Sequence, residues 1–480
     1  MNFSIIKRTL GWLLLFEAIF LLVPVLTALV YAEWSTLWTI LISMGACLLA
    51  GGICLLGKPK NNSIYAKEGL VIVALSWITL SIFGALPFTI SGAIPFYIDA
   101  FFETVSGFTT TGASILTDVE AMSKGLLFWR SFTHWVGGMG VLVFLMAILP
   151  SVSDRSIHIL RAEAPGPIVG KIVPRMKQTA RILYIIYIAL TFIEMILLLA
   201  GGMPLFDSIV HAVGTAGTGG FGIKADSLGS YSPYIQWVIT IFMLLFGVNF
   251  NLYYFILIRK FKSAIKNEEL MVYGSIVLFS IVAITFNVSP LYETVAESIR
   301  HSAFQVAAVI STTGFGTVDF NQWPGFSKTI LLILMFIGGC AGSTAGGFKV
   351  SRIVLLLKTI KRELQKLLHP RAVSTIRLDG KRVDEKTISS LNSYLAIYAL
   401  FLCVVVFLLG FDKFDIETNI SVAASCINNI GPGFGAAGPM DGYAIFSPFS
   451  KVMLSFTMLF GRLEIFPLIL TFSPSTWVKK

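Results

Sequence analysis

Thr109-Thr110-Thr111-Gly112-Ala113-Ser114 is the first of four stretches of one chemistry along the chain. Gly219 lies in Gly214-Thr215-Ala216-Gly217-Thr218-Gly219-Gly220-Phe221, Gly314 in Ser311-Thr312-Thr313-Gly314-Phe315-Gly316, and Gly431 in Asn428-Asn429-Ile430-Gly431-Pro432-Gly433. These glycines are 107, 95 and 117 residues apart, a period of domain-sized repeats and not of solenoid units.

What surrounds the four stretches places them in a membrane. The 480 residues are 55% hydrophobic and 13% charged, with a mean hydropathy of +0.81, too apolar for a soluble domain. Ten runs reach the ~20 residues that a spanning helix needs: 10–31, 36–57, 69–92, 125–150, 182–201, 233–258, 270–289, 327–357, 391–411 and 446–473. The first two, in residues 1–60, precede any glycine stretch and read as an added pair. From there the order of long span, short apolar segment ending in glycine-rich sequence, and long span occurs four times, dividing the chain into 61–165, 166–265, 266–380 and 381–480. The expected fold is an all-α polytopic membrane protein: four pseudo-repeats of helix, pore helix and helix around one central pore, plus two extra N-terminal transmembrane helices.

The short segments, about 93–111, 203–218, 294–313 and 415–430, are too short or too polar to span, and each runs into its glycine. Non-helical backbone at membrane depth survives only inside protein or beside a water-filled cavity, so a re-entrant half-helix fits. Asp99, Asp207, Glu297 and Glu417 lie 12 to 17 residues before the glycines, where a helix macrodipole favours an acid and where a cation-attracting mouth would need one. Placing the N-terminus in the cytoplasm puts 26 of the 36 Lys and Arg residues in inside segments, as the positive-inside rule requires. Both termini are then cytoplasmic and all four glycine stretches face one side. The net charge of +10 lies in short loops, which argues against a nucleic-acid partner and for anionic lipid of the bilayer.

Four like-oriented segments around an axis can pool backbone carbonyls into a ring that replaces a cation's hydration shell. Glycine lets carbonyls converge where a side chain would obstruct them. Thr111, Thr218 and Thr313 precede their glycines, and Ile430 stands there in the fourth stretch.

These stretches, with Gly338-Gly339-Cys340-Ala341-Gly342-Ser343-Thr344-Ala345-Gly346-Gly347-Phe348-Lys349, resemble the Trk/Ktr/HKT superfamily of potassium transporters, most closely its bacterial Trk-type branch. The resemblance covers essentially the whole chain, including the N-terminal pair that the Ktr branch lacks. It implies potassium uptake across the cell inner membrane, with the ion bound in a selectivity filter of Thr110, Thr111, Gly112, Thr218, Gly219, Thr313, Gly314, Asn429, Ile430 and Gly431. A serine at the first glycine goes with sodium-transporting plant members, so Gly112 implies potassium. Gly217, where a polar residue is more usual, departs from the pattern.

The run 327–357 is too long for one straight span and glycine-rich in its middle, which predicts a break there. Gly342 to Lys349 only superficially resembles a phosphate loop, because Phe348 holds the lysine position and no strand precedes it. The resemblance makes Cys340, Ala341, Gly342, Ser343, Thr344, Ala345, Gly346 and Gly347 an intramembrane gate, with Lys349 and Arg462. Arg462 lies deep in the last span, where a charge costs at least ~2.5 kcal/mol and usually marks a pathway. Glu464 is two residues away, a spacing that does not face it on a helix; a structural ion pair between repeats is the plainer use of such a charge. The resemblance also implies a homodimer and a cytosolic nucleotide-binding regulatory subunit of the RCK type, docked on the basic inside segments 151–181 and 358–390.

Other residues read as structural. His134 and Trp135 precede Gly137-Gly138-Met139-Gly140, a helix-packing pattern. His211 and His301 follow Asp207 and Glu297 by four residues, a spacing that brings acid and base together on a helix. Cys47, Cys54, Cys340, Cys403 and Cys426 show no metal or redox spacing and read as small core residues. No organic cofactor and no covalent chemistry are expected, since no H-E-x-x-H pair or nucleophile elbow occurs. Two rivals stay open: a sodium or poorly selective monovalent cation transporter of the same fold, and a coupled secondary transporter, which would show inverted repeats. Whether uptake is channel-like or a symport with protons or sodium is open as well.

Overall fold

The computed structural model describes residues 1–56, 66–140, 176–371 and 374–477. Among these, six helices are long and apolar enough to cross a membrane, or seven if one bent pair counts as a span. The difference from the ten expected spans lies in the second long helix of each repeat.

The N-terminal pair runs over Phe3–Val30 and Trp34–Leu55. It packs through Gly11 and Gly51: a Cβ on Gly11 would come within 3.0 Å of the Gly51 carbonyl oxygen, and a Cβ on Gly51 within 3.0 Å of the Gly11 oxygen. Small residues at such a crossing are how helices associate in lipid. Glu33, at the turn of this pair, accepts from the Lys124 and Gly125 amides at 2.8 and 2.9 Å. Its carboxylate thereby satisfies orphan donors at the start of a helix in repeat 1.

Each repeat opens with a long helix: Ala66–Gly84 continued by Leu86–Ile90, Met176–Ala200, Glu268–Val288 and Glu385–Leu409. A short helix follows: Tyr97–Phe108, Leu205–Gly217, Val295–Ile310 and Ile416–Asn428. With 12 to 16 residues each is only about 18 to 24 Å long, less than a ~30 Å hydrocarbon core. Thr294 caps the third by accepting from the Glu297 amide at 3.2 Å, and Asp415 caps the fourth by accepting from the Thr418 amide at 3.4 Å, which fixes where these helices start.

The closing helices are all interrupted or shortened. In repeat 1 the helix Lys124–Gly138 ends at a glycine pair; residues 141–150 of the expected span 125–150 lie outside the described residues. The run 233–258, expected to be continuous, is two helices, Pro233–Phe246 and Phe250–Leu257, bent by 91°. Gly247 ends the first, and Asn249 restarts the second by accepting from the Asn251 amide at 3.0 Å. In repeat 3 the helix Gly325–Ile337 stops at Gly338 and helix resumes over Val350–Leu368. The run 446–473, also expected to be continuous, is Pro448–Arg462 and Phe466–Phe472, separated by Glu464 and Ile465 in the left-handed region at φ +56° and +67°. Glu464 is held there by Arg352 at 2.6 Å, so the ion pair between repeats that sequence reading weighed for Arg462 is made by its neighbour.

Between repeats 3 and 4, Arg377–Leu378 and Lys381–Arg382 form a small antiparallel hairpin across Asp379-Gly380, a left-handed pair suited to such a turn. Asp379 accepts from the Asn267 side chain and the Glu268 amide at 2.7 and 2.8 Å, tying the basic segment to the start of repeat 3. The inside segment 151–181 lies almost wholly outside the described residues. Cys47, Cys340 and Cys426 are buried as expected of core residues; Cys54 is half-buried, and Cys403 is exposed on a span.

Candidate functional site

The four glycine stretches adopt one backbone conformation. Each short helix is followed by a left-handed non-glycine residue: Thr110, Thr218, Thr312 and Asn429, with φ between +55° and +57°. The next amide bonds back to the carbonyl five residues earlier: Thr111 to Ser106 at 2.8 Å, Gly219 to Gly214 at 3.0 Å, Thr313 to Ala308 at 2.8 Å and Ile430 to Ser425 at 3.0 Å. One residue further comes a glycine with positive φ: Gly112 at +80°, Gly220 at +75°, Gly314 at +81° and Gly431 at +106°.

This register corrects the sequence reading of repeat 2 by one residue: Gly220, not Gly219, stands where Gly112, Gly314 and Gly431 stand. Gly219 takes the place of Thr111, Thr313 and Ile430, and Thr218 that of Thr110. The reason is His134, whose fully buried ring lies against the repeat 2 loop and whose Nδ1 is 2.7 Å from the Gly107 carbonyl oxygen. A side chain at Gly219 would collide with that ring, and one at Gly217 with the His134 backbone. The same wedge accounts for the unusual Gly217. The signal was in the sequence: Gly220-Phe221-Gly222 repeats as Gly314-Phe315-Gly316.

The four glycines close into a ring. A Cβ on Gly112 would meet the Gly219 carbonyl oxygen, one on Gly220 the Thr313 oxygen, one on Gly314 the Ile430 oxygen, and one on Gly431 the Thr111 oxygen at 2.7 Å. Each loop thus abuts its successor and the fourth abuts the first. Asn429 adds a second link across that last seam, its Nδ2 donating to Thr111 Oγ1 and to the Met458 carbonyl, both at 2.9 Å. Between repeats 1 and 2 the link is Arg130, whose Nη1 donates to the Gly222 carbonyl at 2.9 Å from a buried ion pair within repeat 1: Glu103 accepts from Arg130 Nε at 2.6 Å and from Ser114 Oγ and the Ile115 amide at 2.9 Å each. Arg130 also lies 3.6 Å from the Phe221 ring centroid.

The acids at the helix starts are partnered. Asp99 meets Lys451 and Glu417 meets Lys328, at 2.8 and 2.7 Å. Asp207 accepts from the Tyr231 hydroxyl at 2.8 Å, and Glu297 lies 3.8 Å from His301 and 3.9 Å from Arg300. His211 bonds the backbone oxygen of Asp207, not its carboxylate. With cations on three of the four, the helix-dipole role accounts for these acids better than a bare anionic mouth.

Residues 338–349 run against the ring. The Gly346 amide donates to Thr312 Oγ1 at 2.6 Å, and a Cβ on Gly346 would meet the Asn428 carbonyl oxygen and approach Asn429 Cβ to 3.1 Å. The segment also fills the break of repeat 2: Cys340 donates to the Gly247 carbonyl at 2.9 Å, Phe250 to that of Gly342 at 3.0 Å, and Thr344 Oγ1 to that of Phe246 at 3.2 Å. Backbone groups freed by two interrupted helices satisfy each other, as burial away from water demands. Arg462 donates to the carbonyls of Thr344, Gly137 and Gly138, and the buried Lys349 donates to that of Ala345. Ala341, near the start of the segment, and Ser351, just past its end, donate their amides to Glu269 Oε1 at 2.7 and 3.0 Å. Sequence reading passed over Glu269 because it sits among ordinary helix-start acids.

The comparisons agree with this architecture along the whole chain. The TrkH family, described as cation transport protein, matches residues 39–479. The Trk system potassium uptake protein TrkH of Salmonella typhimurium is 35% identical over 489 residues, covering 99% of this chain and 100% of that protein. The Trk system potassium uptake protein TrkG of Escherichia coli strain K12 is 33% identical over 479 residues, covering 98% of each. The crystal structure of the potassium transporter TrkH from Vibrio parahaemolyticus superposes with a TM-score of 0.89 at 32% identity, covering 100% of both chains. This chain belongs to the TrkH family of cation transport proteins.

Proposed function

We propose that the chain takes up potassium ions across the cell inner membrane, selecting them at the ring of four loops and controlling their passage with residues 340–347. The observation that carries this reading is the cyclic abutment of Gly112, Gly220, Gly314 and Gly431 on the neighbouring carbonyls. Four backbone segments brought to one axis provide oxygens that replace a hydration shell without the strength that would trap the ion. The relatives' printed names, Trk system potassium uptake protein, supply the ion.

In this reading the ligands come from Thr110, Thr111 and Gly112, from Thr218 and Gly219 with Gly220, from Thr313 and Gly314 with Thr312, and from Asn429, Ile430 and Gly431. Beyond the ring the ion meets the 340–347 segment, held by Arg462 through Thr344 and by Lys349 through Ala345. Two cations beside the path oppose a third, so conduction requires the segment to withdraw. The positive-inside distribution supports cytoplasmic termini. The basic segments 151–181 and 358–390 form the surface for a cytosolic nucleotide-binding RCK-type subunit, with the chain as a homodimer.

Rescue of a potassium-uptake-deficient bacterium on low potassium tests the reading, with rubidium and sodium flux compared in proteoliposomes. The wild type is expected to restore growth and Gly112→Ser to lower the rubidium to sodium ratio. Sodium flux through the wild type as fast as rubidium flux would overturn the potassium assignment.

A further inference from the structure

We propose that the ring is not fourfold in its ligands: at the glycine level three carbonyls, of Gly112, Gly220 and Gly314, serve the ion, and the Gly431 carbonyl, which a fourfold reading counts among the ligands, is held out of use by Tyr443 and Ser425. This rests on reading the ring as the selectivity filter.

The Gly431 oxygen accepts from the Tyr443 hydroxyl at 2.7 Å and from Ser425 Oγ at 2.8 Å. A carbonyl oxygen has two lone pairs, and both are taken. Among the described residues, no donor reaches the carbonyl oxygens of Gly112, Gly220 or Gly314. The backbone records the difference, with φ at +106° for Gly431 against +75° to +81° for the other three.

Tyr443 is no free rotor. Its amide donates to the Ser114 carbonyl at 2.7 Å, and its ring packs 5.5 Å from that of Phe102 and 5.6 Å from that of Phe446. The repeats themselves provide a control. Ser106 in repeat 1 holds the position of Ser425, yet its hydroxyl is buried without a hydrogen-bond partner. A serine there does not by itself capture the glycine carbonyl, so Tyr443 is the residue that turns it and Ser425 completes the capture. The equivalent positions in repeats 2 and 3 are Gly214 and Ala308, which have no hydroxyl.

Three carbonyls coordinate a large dehydrated cation more weakly than four, and carbonyl number is one determinant of potassium over sodium preference. Tyr443→Phe with Ser425→Ala frees the fourth oxygen and keeps the aromatic packing. The expected result in proteoliposomes is a rubidium to sodium flux ratio raised about threefold or more, with smaller rises for Ser425→Ala and Tyr443→Phe alone and none for Ser425→Thr. A merely loosened loop would lower the ratio, so an unchanged or lower ratio in the double variant overturns the proposal. If the double variant does not fold, Ser425→Ala against Ser425→Thr decides it: a rise in the first alone supports, and equal ratios overturn. Gly112→Ser, measured alongside, separates the two readings. A lowered ratio there keeps the filter assignment whatever Tyr443 shows, whereas an unchanged ratio removes the filter and this proposal together.

Discussion

Arg462 donates from Nη1 to the carbonyl oxygen of Thr344 at 3.0 Å, which fastens the middle of the 340–347 segment to the end of the helix Pro448–Arg462. Its Nη2 donates at 2.6 and 2.8 Å to Gly137 and Gly138, the carbonyl end of a helix in repeat 1, where positive charge is favoured. A hydrogen bond from a charged donor contributes about 1.5 to 3 kcal/mol, so Arg462→Ala is expected to raise the open to closed ratio about tenfold. Arg462→Lys should recover little, since one ammonium does not reproduce the planar fork. Ion flux checks both; flux equal to wild type in the alanine variant contradicts the fastening.

Glu269 fastens the same segment at its ends. Because Oε1 accepts both the Ala341 and Ser351 amides, Glu269→Ala leaves two buried donors unpaired at about 1 to 3 kcal/mol each. Higher flux than wild type is expected, or loss of folded protein. Glu269→Gln keeps an amide oxygen and should conduct nearly as wild type. Comparing the two variants in one flux assay separates the acceptor role from the charge.

Gly220 and Gly92 share a φ of +75° but differ in surroundings: a Cβ at Gly92 meets nothing within 4 Å, and one at Gly220 meets the Thr313 carbonyl. Left-handed alanine alone costs about 1 to 2 kcal/mol. Gly92→Ala should therefore express and transport with modest loss, while Gly220→Ala should lose rubidium uptake by more than tenfold. Equal uptake by the two would mean that strain, and not the ring, sets the requirement for glycine.

Glu103 and Arg130 are 1% and 3% exposed. Removing one member of a buried pair strands the other, at about 3 to 5 kcal/mol. Arg130→Met should lower the thermal midpoint in detergent sharply, and Glu103→Leu with Arg130→Met should recover part of the loss. Recovery stays partial because the Gly222 carbonyl lacks Arg130 in both variants, and the double variant also takes Glu103 from the Ser114 hydroxyl and the Ile115 amide. A double variant no better than Arg130→Met alone would show that the pair's other hydrogen bonds matter more than its charges.

Much of this was legible in the residues. The long opening helix of each repeat, the short helix after it and the fourfold recurrence follow from hydropathy and glycine spacing, and the break after Ile337 follows from a run too long for one span. The kink at Gly247 was not legible, whereas Pro467, in the first turn of the resumed helix, marks the one at Glu464-Ile465. Both are stabilised by partners distant in sequence, Cys340 for the first and Arg352 for the second. Gly219-Gly220 leaves two choices of register in repeat 2, which the recurring Gly-Phe-Gly distinguishes in the sequence and the His134 ring distinguishes in the fold. Tyr443 and Ser425 were invisible because they act on a backbone oxygen, and no sequence pattern names that atom.

The seam between Gly431 and Thr111 sets when the ring of four loops can close during synthesis. The two residues are 320 positions apart, so the ring cannot close until the last repeat has been made and inserted. At ~5 to 20 residues per second, the loop at Thr111 waits roughly 15 to 60 seconds after its own synthesis before Gly431 is made. A nascent chain truncated anywhere before Gly431 is therefore not a weaker transporter but an incomplete circle.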